Sequence, residues 1–183
     1  MSTIRTLATA AVCAVLSVPA GAAATSLHSA PAGSSVHLSA RESDAPRVTV
    51  DGAVQNVLDL KIADLRKLPL VTQKVTFTTS TGTETHWFRG PLLVDVLQQA
   101  VPAFDPDVKN DQLHFAVVVT ATDGYRTVLS YGELDPGFGG TRSLLAFRQD
   151  GQALERPRLT VPGDERGGRY VTDVVSVRLV AVA

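Results

Sequence analysis

The chain has 183 residues, 17 of them basic and 18 acidic, for a net charge of −1. That balance gives no electrostatic reason to expect nucleic acid or an anionic membrane surface as a partner. The single cysteine, Cys13, excludes an internal disulfide, and the length fits one domain plus appendages, since domains typically run to about 100–150 residues.

Residues 1–24 read as a secretory signal peptide. Arg5 supplies the positive start, and Leu7 to Val18 is an alanine-rich apolar stretch interrupted only by Thr9 and Ser17. Pro19 breaks any helix, and Ala22-Ala-Ala24 offers small residues for cleavage. A bilayer-spanning helix needs about 20 apolar residues, so the run is short for an anchor. Cys13 lies early in it, without a leucine three residues before, which argues against lipidation. The expectation is export through a cleaved signal, to the periplasm, the cell surface or the medium, with no integral membrane segment after processing. Cleavage would remove one base and no acid, taking the net charge from −1 to −2, and would leave no cysteine. Thr25 to Pro46, rich in Ser, Ala, Pro and Gly, reads as a flexible linker, so the folded domain is expected over residues 47–183.

Within that domain Val48-Thr-Val50 predicts a short strand and Asp51-Gly52 a turn, and Leu58-Asp-Leu-Lys61 predicts a second strand. Ile62, Leu65 and Leu68 at helical spacing predict a short helix stopped by Pro69. Alternation over Val71–Thr79, a turn at Thr81-Gly82-Thr83 and a return over Glu84–Phe88 predict a hairpin. Gly90-Pro91 is expected to open a helix with proline at its first position, and Leu92, Leu93, Val96, Leu97 and Ala100 as its apolar stripe. The nearly continuous apolar run from Leu113 to Ala121 predicts a strand buried on both faces. Asp123-Gly124 turns the chain into Tyr125–Leu129, and Ser130 is placed to cap a short turn carrying Glu133 and Leu134. Leu144–Arg148, Arg158–Val161 and a long alternating segment from Tyr170 to Val182 complete about nine strands against two or three short helices. The fold class is α+β, a mixed, β-rich single domain, and no internal repeat is visible.

Several pieces stand in a suggestive order: Asp64-Leu-Arg-Lys-Leu-Pro69, Trp87-Phe-Arg-Gly-Pro-Leu92, Ala121-Thr-Asp-Gly-Tyr125, Leu144-Leu-Ala-Phe-Arg148 with Asp150-Gly151, and Val161-Pro-Gly-Asp164 with Gly167-Gly-Arg-Tyr170. Together, from about Val48 to Leu179, they resemble the molybdopterin-binding domain of the sulfite-oxidase family. The resemblance implies a compact α+β domain in which strand ends and loops form a pterin pocket. It also implies a cysteine thiolate bound to molybdenum, just before the Trp87 stretch. Here that position falls at Thr78 or Thr79, with Ser80 and Gly82 following. A threonine hydroxyl has a far higher pKa than a thiol and is a poor ligand for this metal. Family enzymes usually fold around their cofactor in the cytoplasm and cross the membrane with a twin-arginine signal, whereas this N-terminus has the single Arg5.

Each candidate site residue carries two readings. Gly163-Asp-Glu-Arg-Gly-Gly-Arg169 is either an anion cradle, built from successive N–H groups with Arg166 and Arg169, or a solvated surface turn. Arg89, with His86 beside Trp87, is either an oxyanion ligand or part of a polar strand edge. Asp123 and Tyr125 either face the pocket or fix a tight turn. His86 and His114 are the only histidines of the predicted fold, with no metal-ligand spacing around them, so zinc or non-haem iron is not expected. The resemblance therefore implies a cofactor pocket bounded by Thr79, Arg89, Asp123, Tyr125, Gly163, Gly167, Gly168 and Arg169. Its expected ligand is molybdopterin or another anionic pterin, or a small anion, with no metal and no catalytic residue. The reading is an exported, monomeric ligand-binding or cofactor-free relative of the family. An active molybdopterin-dependent oxidoreductase and a surface partner-binding domain are the alternatives.

Overall fold

The computed structural model describes residues 45–182. The expected signal peptide, and all but the last two residues of the expected linker, lie outside these residues. Nine strands and three short α-helices follow in order: β1 (Arg47–Gly52), β2 (Leu58–Lys61), α1 (Ile62–Leu65), β3 (Leu70–Thr79), β4 (Gly82–Pro91), α2 (Leu93–Gln99), β5 (Phe115–Ala121), β6 (Arg126–Ser130), α3 (Tyr131–Leu134), β7 (Leu144–Gln149), β8 (Gln152–Thr160) and β9 (Val174–Ala181). Two 3-10 turns cover Asp111–His114 and Gly167–Arg169. No helix among the described residues is long and apolar enough to cross a membrane.

The strands form two sheets. One has the order β2-β1-β9-β5-β6, and the other β3-β4-β7-β8. In the first, the opening and closing strands lie side by side: β1 pairs with β9 in parallel, Val50 opposite Val177, while the remaining neighbours are antiparallel. The second sheet is two hairpins joined by the β4–β7 pairing of Phe88 with Gln149 and Arg89 with Arg148.

Alternation explains where the core sits. Val48, Val50, Val117, Val119, Val177 and Leu179 from the first sheet pack into one core with Leu145, Phe147 and Leu159 from the second and Leu93, Val96, Leu97 and Ala100 around α2. Fully burying one such side chain contributes about 1.5–3 kcal/mol. On its opposite face the second sheet carries a smaller core of Val75, Phe77, Phe88, Leu144, Ala146 and Tyr170. Within the second sheet β4 and β7 approach closely at Gly90, where an added Cβ would lie 2.3 Å from the Leu145 carbonyl oxygen.

Several expectations are corrected. Pro91 closes β4 opposite Leu70, and α2 begins two residues later at Leu93, so the proline is not the first helical residue. α1 ends at Leu65 and relaxes into a turn before Pro69. β5 begins at Phe115 after a 3-10 turn, and it alternates: Ala116, Val118 and Thr120 are only half-buried, so one face rather than both is sealed. Ser130 occupies the N-cap position of α3 without a side-chain cap bond. β8 begins at Gln152, because it pairs with β7 around the Asp150-Gly151 turn. β9 begins only at Val174, because Asp173 turns the chain with φ +52°.

Candidate functional site

The connection between β8 and β9 crosses the inner face of the β3–β4 hairpin and builds a groove there. The Thr78 N–H donates to the Glu165 carbonyl at 2.8 Å, and a parallel bridge joins Thr78 to Arg166. Tyr170 stacks on Phe77 with ring centroids 4.2 Å apart, and its hydroxyl donates to the Val161 carbonyl at 2.8 Å. Burial pushes the Tyr170 phenol up to about 12, so it is a neutral donor throughout the physiological range. Gly167 lets the loop close on the ring, since a Cβ there would lie 3.0 Å from the Phe77 edge. The result is a cleft of about 750 Å³ lined by Phe77–Ser80 on one side, Glu165–Gly168 on the other, and Arg158.

Arg158 is the group with unmet chemistry. It is half-buried, with its guanidinium 5.8 Å from the Phe77 ring centroid and 5.5 Å from that of Phe88. Nη1 donates to Gln149 Oε1 at 3.1 Å, while the buried Nε has no hydrogen-bond partner among the described residues. Burial lowers its pKa, and no carboxylate forms an ion pair with it among the described residues. A second, smaller cavity of about 130 Å³, between Gln149, Leu154–Arg156 and Thr172–Asp173, also reaches Arg158.

The loop places some of the sequence-predicted residues together and separates others. The Tyr125 hydroxyl donates to the Gly168 carbonyl at 2.7 Å, and the Asp123 carboxylate accepts the Tyr125 N–H at 2.8 Å. Asp123, Tyr125, Gly167 and Gly168 therefore meet beside the groove, with Asp123 engaged in its own turn. Gly163 turns the chain after β8 with φ +99° and does not line the groove. Arg169 is near the site but committed: Nε and Nη2 grip Asp164 at 2.7 and 2.6 Å, and Nη1 donates to Glu133 at 2.9 Å. These pairs, Asp164 first, raise its pKa further. It fastens the loop to α3 and leaves little to offer a ligand. Arg89 lies on the wrong side. The alternation that buries Phe88 and Gly90 turns Trp87 and Arg89 outward, and Arg89 sits beside Arg148.

Of Thr78 and Thr79, the two positions at which the resemblance put a thiolate, Thr78 faces outward and Thr79 faces inward at the end of the groove. Its Oγ1 lies 2.9 Å from Glu84 Oε1, 2.8 Å from Thr81 Oγ1 and 3.2 Å from the Gly82 carbonyl. From Glu84 the polar chain continues to His86, whose Nε2 lies 3.2 Å from Glu84 Oε2 and Nδ1 2.6 Å from Asp150 Oδ2. Asp150 in turn accepts the Trp87 N–H at 2.8 Å. The Asp150 hydrogen bond is the main cause of a raised His86 pKa. The Thr79 bond is the main cause of a lowered Glu84 pKa, and the Trp87 N–H of a lowered Asp150 pKa. Among the described residues no three His, Cys, Asp or Glu side chains are arranged to hold a metal ion.

Sequence reasoning passed over Arg158, treating it as the start of a strand. Its signal was present: an arginine bordering the short run Leu159–Val161, which leads into the Pro162-Gly163 turn.

The family model for the oxidoreductase molybdopterin binding domain matches residues 36–163 of this chain. The match includes Arg158, Thr79 and the β3–β4 hairpin, and it stops before the Gly167–Arg169 turn, so the resemblance drawn as far as Leu179 extends past it. Among solved structures, the sulfane dehydrogenase SoxCD from Paracoccus pantotrophus shares the fold, with a TM-score of 0.59 at 19% identity over 74% of this chain. This chain spans 38% of that one. No curated protein matches the sequence.

Proposed function

The chain belongs to the oxidoreductase molybdopterin-binding domain family, and we propose that it is an exported member whose groove takes an anionic pterin or similar phosphate-bearing ligand through Arg158, without a protein thiolate for the metal. One observation carries this reading: the half-buried Arg158, with no ion-pair partner among the described residues, lines a groove of about 750 Å³. An oxyanion in the groove would supply the counter-charge that this guanidinium lacks, in the fork geometry that guanidinium groups favour. The Gly167-Gly168 backbone, free of side chains, leaves room for the ligand, and the Phe77 edge supplies an apolar wall.

The donor set fits the organic half of the cofactor and not the metal half. A molybdopterin supplies oxygen-atom and electron-transfer chemistry through its metal when bound, and the family expectation holds that metal by a cysteine. The only cysteine, Cys13, lies in the expected signal peptide, and the inward position near the groove is Thr79, whose hydroxyl is already bonded to Glu84. The export reading rests on residues 1–24 and is tested by the N-terminal sequence of the secreted protein.

The ligand reading is tested by titrating the purified protein and its Arg158→Ala variant with a pterin phosphate and with inorganic phosphate. The expected result is a loss of affinity of about tenfold or more in the variant, the equivalent of one charge-assisted hydrogen bond. Equal affinity in both overturns the proposal. So does stoichiometric molybdenum in the purified protein accompanied by turnover of sulfite or a sulfoxide, which would make it a working oxidoreductase.

A further inference from the structure

The outer face of the β3–β4 hairpin, opposite the groove, carries a cluster that the groove does not use. Trp87, the only tryptophan of the chain, is 54% exposed in mid-strand. Lys74 lies directly across from it, and the next pair on the same face is Thr72 with Arg89, itself beside Arg148 on β7. On the other side of Trp87 stand the pairs Thr76–Thr85 and Thr78–Thr83, their hydroxyls 2.8 and 3.4 Å apart. All of these side chains are exposed. Lys74, Arg89 and Arg148 form no ion pair with any described residue. A chain of net charge −1 thus gathers unpaired positive charge around its single indole, on a surface of β3, β4 and β7 edged with hydroxyls.

We propose that this face binds an acidic polysaccharide, a linear chain of uronic-acid sugars, with one sugar ring lying on Trp87 and carboxylates engaging Arg89, Lys74 and Arg148. Each part of such a polymer has a counterpart here. The C–H face of a sugar ring is apolar and covers an indole, its hydroxyl rim matches the threonines, and its carboxylate suits the guanidinium fork. Same-face residues along a strand lie about 6.8 Å apart, so the cations flank the indole within reach of the stacked sugar or its neighbour. An acidic protein surface fits less well. Tryptophan and arginine anchors in protein interfaces are ringed by contacts that exclude water, whereas across the β3–β4 hairpin every side chain beside Trp87 on this face is Thr, Lys or Arg; on the β7 side the Asp150 carboxylate is taken up by the Trp87 N–H and His86. The charge complementarity is local, so it does not conflict with the chain's near-neutral total.

Because Trp87 is the only indole, its fluorescence reports on this face alone. The purified protein is titrated at low salt with polygalacturonate, with neutral dextran and with poly-glutamate. The expected result is a saturable emission change with polygalacturonate that raised salt removes and dextran does not produce. Arg89→Gln should weaken binding about tenfold. Trp87→Ala, followed by calorimetry, should weaken it comparably while thermal unfolding stays close to that of the parent. No response to polygalacturonate overturns the proposal. An equal response to poly-glutamate also overturns it, since charge alone would then explain the face and an acidic protein would be the better partner. Undiminished binding by Trp87→Ala does the same.

Discussion

Replacing Arg169 by alanine should unlock the groove loop without removing a ligand contact. The guanidinium makes three charge-assisted bonds, two to Asp164 at 2.7 and 2.6 Å and one to Glu133 at 2.9 Å. Such bonds contribute about 1.5–3 kcal/mol each when well shielded. Here the side chain is 33% exposed and its partners 20% and 29%, so solvent screens part of that. The three bonds also share one group and do not add. A cost of about 2–4 kcal/mol follows, because the change leaves two carboxylates near one another without their counter-charge. At about 4 °C per kcal/mol for a domain of this size, Tm should fall by about 8–16 °C. Calorimetry of Arg169→Ala, Asp164→Asn and the double variant measures both the cost and the coupling, which should exceed about 1 kcal/mol. Arg169→Lys should recover only part, since an ammonium cannot fork to both carboxylates. A cost below about 1 kcal/mol, or independent effects at the two positions, would refute the view of Arg169 as a fastening.

Two further predictions concern the hairpin. His86 has a pKa raised above its ordinary 6.5, so its pairs contribute stability that is complete below that value and lost as pH rises through the folded pKa. Glu84 and Asp150 are lowered from 4.5 and 3.8, so their share is present above those values and lost on acidification. The hairpin should therefore be most stable between about pH 4.5 and 6.5, and a His86 pKa of 6.5 or less by NMR titration of the imidazole would sink the account. Thr79→Cys should carry a thiol with a pKa above the ordinary value of about 8.5, because the Glu84 carboxylate lies against that position. Adding Glu84→Gln should bring it down, and thiol titration by alkylation rate distinguishes the two outcomes.

Period-two alternation made most strands legible. β2 and the β3–β4 hairpin fall almost where Leu58–Lys61 and Val71–Phe88 predict them, because β-branched and aromatic side chains recur on one face. Helix ends were harder. Pro91 suits the first turn of a helix, yet its strand pairing with Leu70 claimed it first. The double-faced burial expected of β5 failed because nothing in the local run reveals that its second face meets no packed layer. The site was legible as a set of loops but not as a set of donors. Which arginine points inward depends on register and on the bulge between β7 and β8, and neither can be read from a single strand. Arg89 and Arg169 therefore looked available, while Arg158, at the edge of an apolar run, did not.

The same alternation explains how one hairpin can serve two surfaces. Along β4, Glu84, His86 and Phe88 point to the groove side, while Thr85, Trp87 and Arg89 point away, so the two faces can diverge without a change in backbone. It also bears on Thr79, the inward-facing one of the two expected thiolate positions. A hydroxyl at 79 can donate to Glu84 and close the hairpin, and the lowered Glu84 pKa reflects that bond. A thiolate there would face a carboxylate at hydrogen-bond distance, and like charges that close disfavour ionisation. Threonine at 79 and glutamate at 84 thus form one physical unit: the carboxylate suits a neutral hydroxyl and opposes an anionic metal ligand. Restoring the cysteine alone would not restore a ligand, because the charge beside it would have to go as well.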